Sequence, residues 1–147
     1  MNWQEYFLGI AEQVKLKSKD ESTQVGAVIV GKGHEILSTG YNSFPRGLDD
    51  SRPERQERPH KYPYFEHAER NAIYNAARNG VKLKGSTIYI TSGLPCEDCA
   101  RGIINSGIKK VYCKRECTTK NTEKWVKSQK YGLEMMIECG VEIKYYD

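Results

Sequence analysis

The sequence predicts an α/β fold, in which helices pack on a sheet that contains parallel strands. Two observations support this: short segments rich in β-branched residues alternate with helix-like segments, and glycines stand where the helices should end. Strands that alternate with helices are joined by crossover connections, which place neighbouring strands parallel. The length of 147 residues fits one domain with its own core, so we expect residues 1–147 to form a single domain.

The N-terminal segments predict a helix followed by a β-hairpin. An apolar stripe with spacings of three and four residues begins the chain and consists of Trp3, Phe7, Ile10 and Val14. Residues 25–30, VGAVIV, form a β-branched run, and residues 34–41, HEILSTGY, follow the sequence GKG. These two runs are typical of strands joined by a glycine-containing turn.

Residues 42–63 form the least regular part of the sequence. Prolines stand at positions 45, 53, 59 and 63, and the stretch DDSRPERQERPHK mixes charges of both signs. Prolines at this density exclude a regular helix or a central strand, so the segment is predicted to be a long loop. Long loops in compact domains are often functional. A ligand-binding role and an ordinary solvated surface both remain open for its charges.

The second half of the chain alternates between helix and strand signals. A helix is expected over residues 67–80, HAERNAIYNAARNG, with Gly80 as its C-terminal cap. Strand, helix, strand, helix and strand then follow at residues 86–92, 96–107, 109–114, about 122–138 and 141–146. This order is that of crossover units on a layered sheet.

Charge and hydropathy narrow the classes of function. The chain has 23 basic and 19 acidic residues, a net charge of +4, which suits a small anionic substrate and is too small to indicate a nucleic-acid groove. No apolar run approaches the length of a membrane span, and the N-terminus lacks the charge order of a secretory signal. We therefore expect a cytoplasmic protein that binds neither nucleic acid nor membrane.

Two short motifs, HAE and PCEDC, indicate a metal site. Cys96 and Cys99 lie three residues apart at the start of a predicted helix, where they share a face and where the helix N-terminus favours thiolates. His67 begins another predicted helix and completes a set of three ligands. Three protein ligands leave the fourth tetrahedral position to water, as in catalytic zinc sites, and sulfur with imidazole favours Zn²⁺.

Glu69 is the candidate catalytic residue. It follows His67 by two positions, and at the first turn of a helix both side chains can still reach one site. A carboxylate beside an activated water can accept its proton and pass it on. The combination H-x-E with P-C-x-x-C is a signature of zinc deaminases.

Two structural alternatives stay open for the cysteines. Cys113 and Cys117 could complete a zinc ribbon with Cys96 and Cys99, and the close pair alone could be a redox centre. Cys113 lies in a predicted strand, where a buried thiol is the ordinary explanation. Neither alternative explains the histidine and the glutamate of HAE.

Four segments resemble the cytidine and deoxycytidylate deaminase superfamily, and within it the deoxycytidylate branch. They are STQVGAVIV at 22–30, STGYNSFPRG at 38–47, KYPYFEHAERNAI at 61–73 and PCEDCARGIINSGIKKVYC at 95–113. The resemblance implies a three-layer α/β/α fold around a five-stranded mixed sheet. It also implies zinc-dependent hydrolysis of dCMP to dUMP and ammonia, which supplies thymidylate synthesis, with Glu69 moving protons to ring N3 and then to the leaving amine.

The resemblance further implies a set of substrate contacts. Asn42 would hold the sugar, although an asparagine in a turn after a strand is an ordinary alternative. Backbone groups at Ala68 would meet the pyrimidine edge, and Pro95 would also contact substrate. The loop with Ser22, Thr23 and Gln24 would face the 5′-phosphate, or it is a simple connection between helix and strand.

Regulation is implied in the same way. Family members are typically homohexamers that dCTP activates and dTTP inhibits, with Mg²⁺ accompanying the triphosphate. The effector residues implied here are Gly40, Tyr41, Ser43, Arg46, Gly47, Asp49, Asp50 and Arg78. For Arg78, a simple interaction of a cation with the end of a helix is the alternative.

Three features depart from the family pattern. Ser43 stands where the family usually has glycine, which matters if that backbone position needs a positive φ. Residues 114–121, KRECTTKN, lack the aromatic side chain that members often place against the base. Stacking on the base would then come from His67 or another ring, or it would be weaker. The chain has no cysteine before Cys96, so one zinc ion per chain is expected.

Three other functions stay open. A tRNA adenosine deaminase would need a basic surface, which the balanced charge of the long loop does not supply. A cytidine deaminase would not require the 5′-phosphate. A non-catalytic zinc module would have no use for Glu69.

Overall fold

Five strands form one mixed sheet in the computed structural model, which describes residues 1–115 and 123–147. The strands are β1 (Gly26–Val30), β2 (Ile36–Tyr41), β3 (Thr87–Ile90), β4 (Lys110–Lys114) and β5 (Glu142–Tyr146). The helices are α1 (Trp3–Lys15), α2 (Ala68–Asn79), α3 (Glu97–Ser106) and α4 (Glu123–Glu138). Every predicted element is present in this order, while Thr122, the expected start of α4, lies outside the described residues.

The strand order is β2-β1-β3-β4-β5. Strand β1 pairs antiparallel with both of its neighbours, and β3, β4 and β5 run parallel to one another. Helices α3 and α4 connect the parallel strands, which is the crossover arrangement expected from the sequence. The prediction of a mixed sheet is confirmed.

Helices cover both faces of the sheet and give three layers. On one face, Phe7 and Ala11 of α1 pack on Val28, Val30 and Tyr89. On the other face, a larger core joins the remaining helices to the sheet, with members that include Ala27, Ile29, Ala72, Ile103 and Met136. All five residues of β1 are buried because alternate side chains enter the two cores.

The helix boundaries follow the signals in the sequence. His67 and Cys96 are the extended residues that precede α2 and α3, so both candidate ligands stand at helix N-termini. Gly80 and Gly107 end the same helices with φ of 69° and 88°. A positive φ is readily available to glycine, which explains why the helices stop there.

The long segment between β2 and α2 is more ordered than predicted. A short 3-10 helix (Pro53–Gln56) interrupts it, because proline is well suited to the first position of a helical turn. Ser43 pairs with Glu66 through two backbone hydrogen bonds of 3.1 and 2.8 Å. Among the described residues, His34 is the only non-glycine with positive φ, so Ser43 is not strained. No helix within the described ranges is long and apolar enough to cross a membrane.

Candidate metal centre

Three candidate ligands meet where the N-termini of α2 and α3 approach each other. The Nδ1 atom of His67 lies 3.4 Å from the sulfur of Cys96 and 3.4 Å from the sulfur of Cys99. The three donor atoms all lie within 4.8 Å of one another, and both cysteines are buried. The backbone N–H of Cys99 also points to the sulfur of Cys96 at 3.5 Å.

The donor set fits a zinc ion. A tetrahedral ion with ordinary zinc–sulfur and zinc–nitrogen bonds separates sulfur from nitrogen by about 3.6 Å, close to the separations of this cluster. Sulfur and imidazole donors favour zinc over the hard cations. Among the described residues, the cluster does not include Cys113, and Cys117 lies outside them. The three donors leave one tetrahedral position for another ligand.

The pKa values of the two cysteine thiols are shifted in opposite directions. Hydrogen bonds from the side chains of Cys99 and His67 lower the pKa of Cys96 to about 4. The same bond between the sulfurs, together with burial, raises the pKa of the Cys99 thiol. For His67, burial lowers the pKa, but Cys96 and Glu69 outweigh burial and raise it. Binding of a divalent cation would release the remaining protons from the ligands.

Glu69 is buried beside the cluster, in the first turn of α2, and is 5% exposed. Burial raises the pKa of its carboxyl, the charge of His67 lowers it, and the net direction is upward. Burial and the nearby charge of Glu69 also raise the pKa of Cys113 to about 12. Cys113 is therefore a neutral buried thiol, as its place in β4 suggested.

Arg70, which the two sequence motifs do not indicate as a functional residue, connects the starts of α2 and α3. The Arg70 Nε donates to Glu66 Oε1 at 2.5 Å, and its Nη1 lies 3.6 Å from Asp98 of α3. Glu66 Oε1 also accepts the backbone N–H of His67 at 3.0 Å. The pKa of Arg70 is raised, because its interactions with the cysteine sulfurs and with Glu66 outweigh its burial.

Helix α4 packs against residues 94–97, the turn that contains Cys96 and is called the cysteine turn below. The Ser128 hydroxyl accepts the backbone N–H of Glu97 at 3.0 Å, and the Gln129 amide donates to the carbonyl of Leu94 at 2.9 Å. Gly132 packs against the turn so closely that a Cβ would lie 3.0 Å from the carbonyl oxygen of Pro95. These contacts span more than 30 residues of sequence, so no local pattern predicts them.

An aromatic ring from α4 lies near the ligands. The ring centroids of Trp125 and His67 are 6.0 Å apart, and the rings meet edge to face at 61°. The sequence stretch that follows Cys113 lacks an aromatic residue, and much of it lies outside the described ranges. Trp125 lies further along the chain, in the first turn of α4. Its position at the start of a predicted helix is the only sequence feature that could have indicated it.

Asn42 is buried and its amide is engaged within the protein. Its Oδ1 accepts the backbone N–H of Val25 at 2.8 Å. Its Nδ2 donates to the Thr23 carbonyl at 2.8 Å and to Asp20 Oδ2 at 3.1 Å. The structure thus brings Asn42 to the loop with Ser22, Thr23 and Gln24, and its contact with a sugar stays a prediction.

The other expected substrate residues differ in exposure. Ser22 and Gln24 are exposed and Thr23 is half-buried, so this loop is open to a ligand. Ala68 is buried in the first turn of α2, and the side chain of Pro95 is fully buried next to Cys96. A contact of Pro95 or Ala68 with substrate would therefore involve their backbone.

The expected regulatory residues divide into separate groups. Arg46 and Arg78 both line a depression between β2 and α2, where Arg46 donates to Asn75 at 2.8 Å. Gly40 instead packs on the backbone of α2.

The other expected regulatory residues have partners of their own within the protein. Asp49 accepts hydrogen bonds from Ser51 and Arg52, and Asp50 forms an ion pair with Lys19. Of the remaining residues, Ser43 and the carbonyl of Tyr41 bind Asn71, while Gly47 has φ of 89°.

Comparisons with known proteins identify relatives of this chain. The model of the cytidine and deoxycytidylate deaminase zinc-binding region matches residues 1–115. An uncharacterized deaminase of Aliivibrio fischeri is 41% identical over 143 residues, which cover 97% of this chain and 92% of that protein. Human deoxycytidylate deaminase is 42% identical over 116 residues, which cover 76% of this chain and 64% of the human protein.

Solved structures have the same fold. The dCMP deaminase of cyanophage S-TIM5 matches with a TM-score of 0.76 and 28% identity, over 97% of this chain and 96% of that one. The same phage enzyme has been crystallised with dCMP and dUMP, and that structure matches equally well, at 0.76. The three-layer α/β/α fold is thereby confirmed. With most of its length matched by the family model, the chain belongs to the cytidine and deoxycytidylate deaminase family.

Proposed function

We propose that this protein deaminates dCMP by hydrolysis, forming dUMP and ammonia. The observation that supports this most directly is the cluster of one imidazole and two sulfurs, with a buried carboxylate beside it and one ligand position left open. The deoxycytidylate deaminases among its relatives, and the phage enzyme crystallised with dCMP and dUMP, favour this substrate.

His67, Cys96 and Cys99 would hold the zinc ion, which supplies a water made nucleophilic near neutral pH. Glu69 accepts one proton of the attacking water and delivers it to ring N3. It then passes the proton of the new C4 hydroxyl to the amine, which leaves as ammonia. Its burial excludes bulk water, so the proton stays on the path from nucleophile to leaving group. The start of α2 positions the acid, and the start of α3 positions the two sulfurs.

The 5′-phosphate is the group that distinguishes dCMP from deoxycytidine. The open loop with Ser22, Thr23 and Gln24 offers hydroxyl and amide groups, which are suitable phosphate ligands. The net charge of +4 favours the approach of an anionic substrate.

Release of ammonia from a panel of substrates tests the proposal. The panel contains dCMP, CMP, dCTP, deoxycytidine and single-stranded DNA, each with zinc-loaded protein. We expect turnover of dCMP, with kcat/KM for deoxycytidine lower by about 100-fold or more because the phosphate contacts are missing. Equal turnover of deoxycytidine would identify a nucleoside deaminase instead, and selective turnover of DNA a nucleic-acid editor.

We infer that the same protein is a regulated homo-oligomer, activated by dCTP and inhibited by dTTP. The observation that favours this is the depression between β2 and α2, where two arginines and two asparagines, Arg46, Arg78, Asn75 and Asn79, offer donors to a triphosphate. Mg²⁺ would accompany the triphosphate. The family's homohexamer is the expected assembly.

Effector titrations of dCMP turnover test this regulation. In Arg78→Ala, the dCTP concentration needed for half-maximal activation should rise about tenfold or more. The matched control is Arg101→Ala on α3, whose arginine pairs with Asp98 outside the depression. An unchanged dCTP response in Arg78→Ala would contradict the effector role, and light scattering of the effector-free protein would measure the assembly.

A further inference from the structure

We propose that Asp20 and Lys61 are positioning residues, whose buried ion pair fixes the loop at Ser22 and Thr23 and the amide of Asn42 for nucleotide binding. This inference rests on the proposed function. The two residues do not belong to the motifs of the metal site, and neither one reaches the metal ligands in the described contacts.

The ion pair is short and buried. Lys61 Nζ lies 2.7 Å from Asp20 Oδ1, and the two side chains are 4% and 6% exposed. Exposed ion pairs, such as that of Lys19 with Asp50, contribute little to the stability of the fold, because water screens their charges. Charges that are buried this deeply are found only when they are paired and hydrogen-bonded.

Asp20 also holds the backbone of the loop that follows it. Its Oδ1 accepts the backbone N–H of Ser22 at 2.7 Å and that of Thr23 at 3.2 Å, in addition to Lys61. Its Oδ2 accepts from the amide of Asn42 at 3.1 Å. One carboxylate therefore sets the backbone of the expected phosphate loop and the orientation of the expected sugar contact.

Asp20 is one of three partners that orient the amide of Asn42. The amide has two N–H groups, one bound to the carbonyl of Thr23 and one bound to Asp20. Its oxygen is held by Val25. If Asp20 moves, the amide loses one of its three partners, while the other two remain.

Lys61 connects this loop to the turn that leads into α2. Its carbonyl accepts the backbone N–H groups of Tyr64 and Phe65, both at 3.1 Å, and its ammonium lies 5.2 Å from the Phe65 ring. Phe65 in turn packs on Phe44, with ring centroids 4.4 Å apart. The ion pair therefore joins the loop before β1 to both ends of the long segment between β2 and α2.

The test of this proposal compares the dCMP kinetics and amide exchange of wild type with those of Lys61→Met. This substitution keeps most of the length of the side chain and removes its charge. We expect the KM for dCMP to rise about tenfold or more, with kcat within about threefold of wild type and the zinc content unchanged. Amide hydrogen exchange at Ser22 and Thr23 should accelerate, because Asp20 is no longer held. Lys110→Met, at an exposed ion pair with Glu142, is the matched control and should behave as wild type.

A double variant, Asp20→Asn with Lys61→Met, leaves no buried charge and keeps the test valid if Lys61→Met folds poorly. We expect its KM for dCMP to remain raised, because an amide cannot accept from both the loop and Asn42. A wild-type KM in the double variant, or loss of zinc from folded Lys61→Met, would overturn the positioning role. If wild type does not turn over dCMP, the proposed function fails, and the exchange rates at Ser22 and Thr23 still test the inference about the loop.

Discussion

His67 and Glu69 are separated by one residue, yet both side chains lie at the same cluster. In the middle of a helix, this spacing would point the side chains in nearly opposite directions. His67, however, precedes the helix with φ of −78° and ψ of 153°, while Glu69 lies within its first turn. The change from extended to helical backbone between them turns both side chains toward the cysteines.

Glu69→Gln should separate metal binding from catalysis. The amide has nearly the same shape as the carboxylic acid, so we expect the zinc content and the melting temperature to stay close to those of wild type. It cannot accept a proton from water, so kcat for dCMP should fall by about 10²–10⁴-fold. Zinc analysis and ammonia release on the same preparation provide the measurement, and retained turnover would exclude Glu69 as the acid and base.

The contribution of Asp20 to stability should depend on pH. Burial raises the pKa of Asp20, but hydrogen bonds from Lys61 and from the N–H groups of Ser22 and Thr23 outweigh it, so the pKa in the folded protein is lowered. A lowered folded pKa stabilises the protein above the unfolded pKa of about 3.9, and this contribution is lost as pH falls through the folded value.

Asp20→Asn should therefore be destabilised at pH 7, by about 3 kcal/mol, since it leaves Lys61 buried without its charge partner. The difference from wild type should shrink as the pH falls below about 4, because Asp20 then binds its proton more readily in the unfolded chain than in the folded protein. Urea unfolding of both proteins from pH 7 to pH 3 measures this, and a difference that stays constant would contradict the assigned pKa direction.

Residues that are close in sequence were predictable, and pairs that only the fold joins were not. The three ligands and Glu69 lie in two short motifs whose spacing already indicates the chemistry. Lys61 and Asp20 are 41 positions apart, and neither has a local pattern that names its partner. The contacts of Ser128 and Gln129 with the cysteine turn could not be predicted for the same reason.

At the scale of elements, the contact between β2 and α2 sets the position of the first ligand helix. Gly40 lies on β2 against the first turns of α2, where a Cβ would be 2.6 Å from the carbonyl oxygen of Ala68 and 2.8 Å from the Cα of Ala72. A strand and a helix can approach this closely only without a side chain between them. Gly40 is thus explained by packing, which gives it a role independent of any effector.

Gly40→Ala should be destabilised by about 1–3 kcal/mol, because the added methyl group meets backbone atoms that cannot move aside. We also expect weaker retention of zinc, since α2 begins next to His67. Gly9→Ala on α1 is the control: its Cβ would meet open space, so alanine should stabilise the helix by up to about 1 kcal/mol. Urea unfolding measures both, and effects of the same sign would contradict the packing argument.

Element types were predictable, whereas element contacts were not. Helices α2 and α3 end at glycines with positive φ and begin at extended residues, and both features can be seen in the sequence. The 3-10 helix Pro53–Gln56 was missed, because the density of prolines indicates a loop and does not give the conformation of one turn within it. The pairing of Ser43 with Glu66, which closes the long segment, requires the folded chain.

On the scale of the whole molecule, the candidate metal site is where distant parts of the chain meet. His67 reaches it from the end of the long segment after the hairpin, and Cys96 from the turn after β3. Two cysteine sulfurs and an imidazole, with a buried carboxyl nearby, share a small volume. A divalent cation would join the N-termini of α2 and α3, so its binding should stabilise the entire fold rather than one loop.

Removal of zinc should therefore lower the melting temperature of the whole protein. Free zinc at one hundred times its dissociation constant adds about 2.7 kcal/mol, which for a chain of this size corresponds to about 5–10 °C. Cys96→Ser should bind no zinc and should melt at the same temperature with and without chelator. Cys139→Ser, at an exposed cysteine outside the cluster, should respond to the chelator as wild type does. If Cys96→Ser kept one zinc per chain, the cluster of His67, Cys96 and Cys99 could not be the metal site.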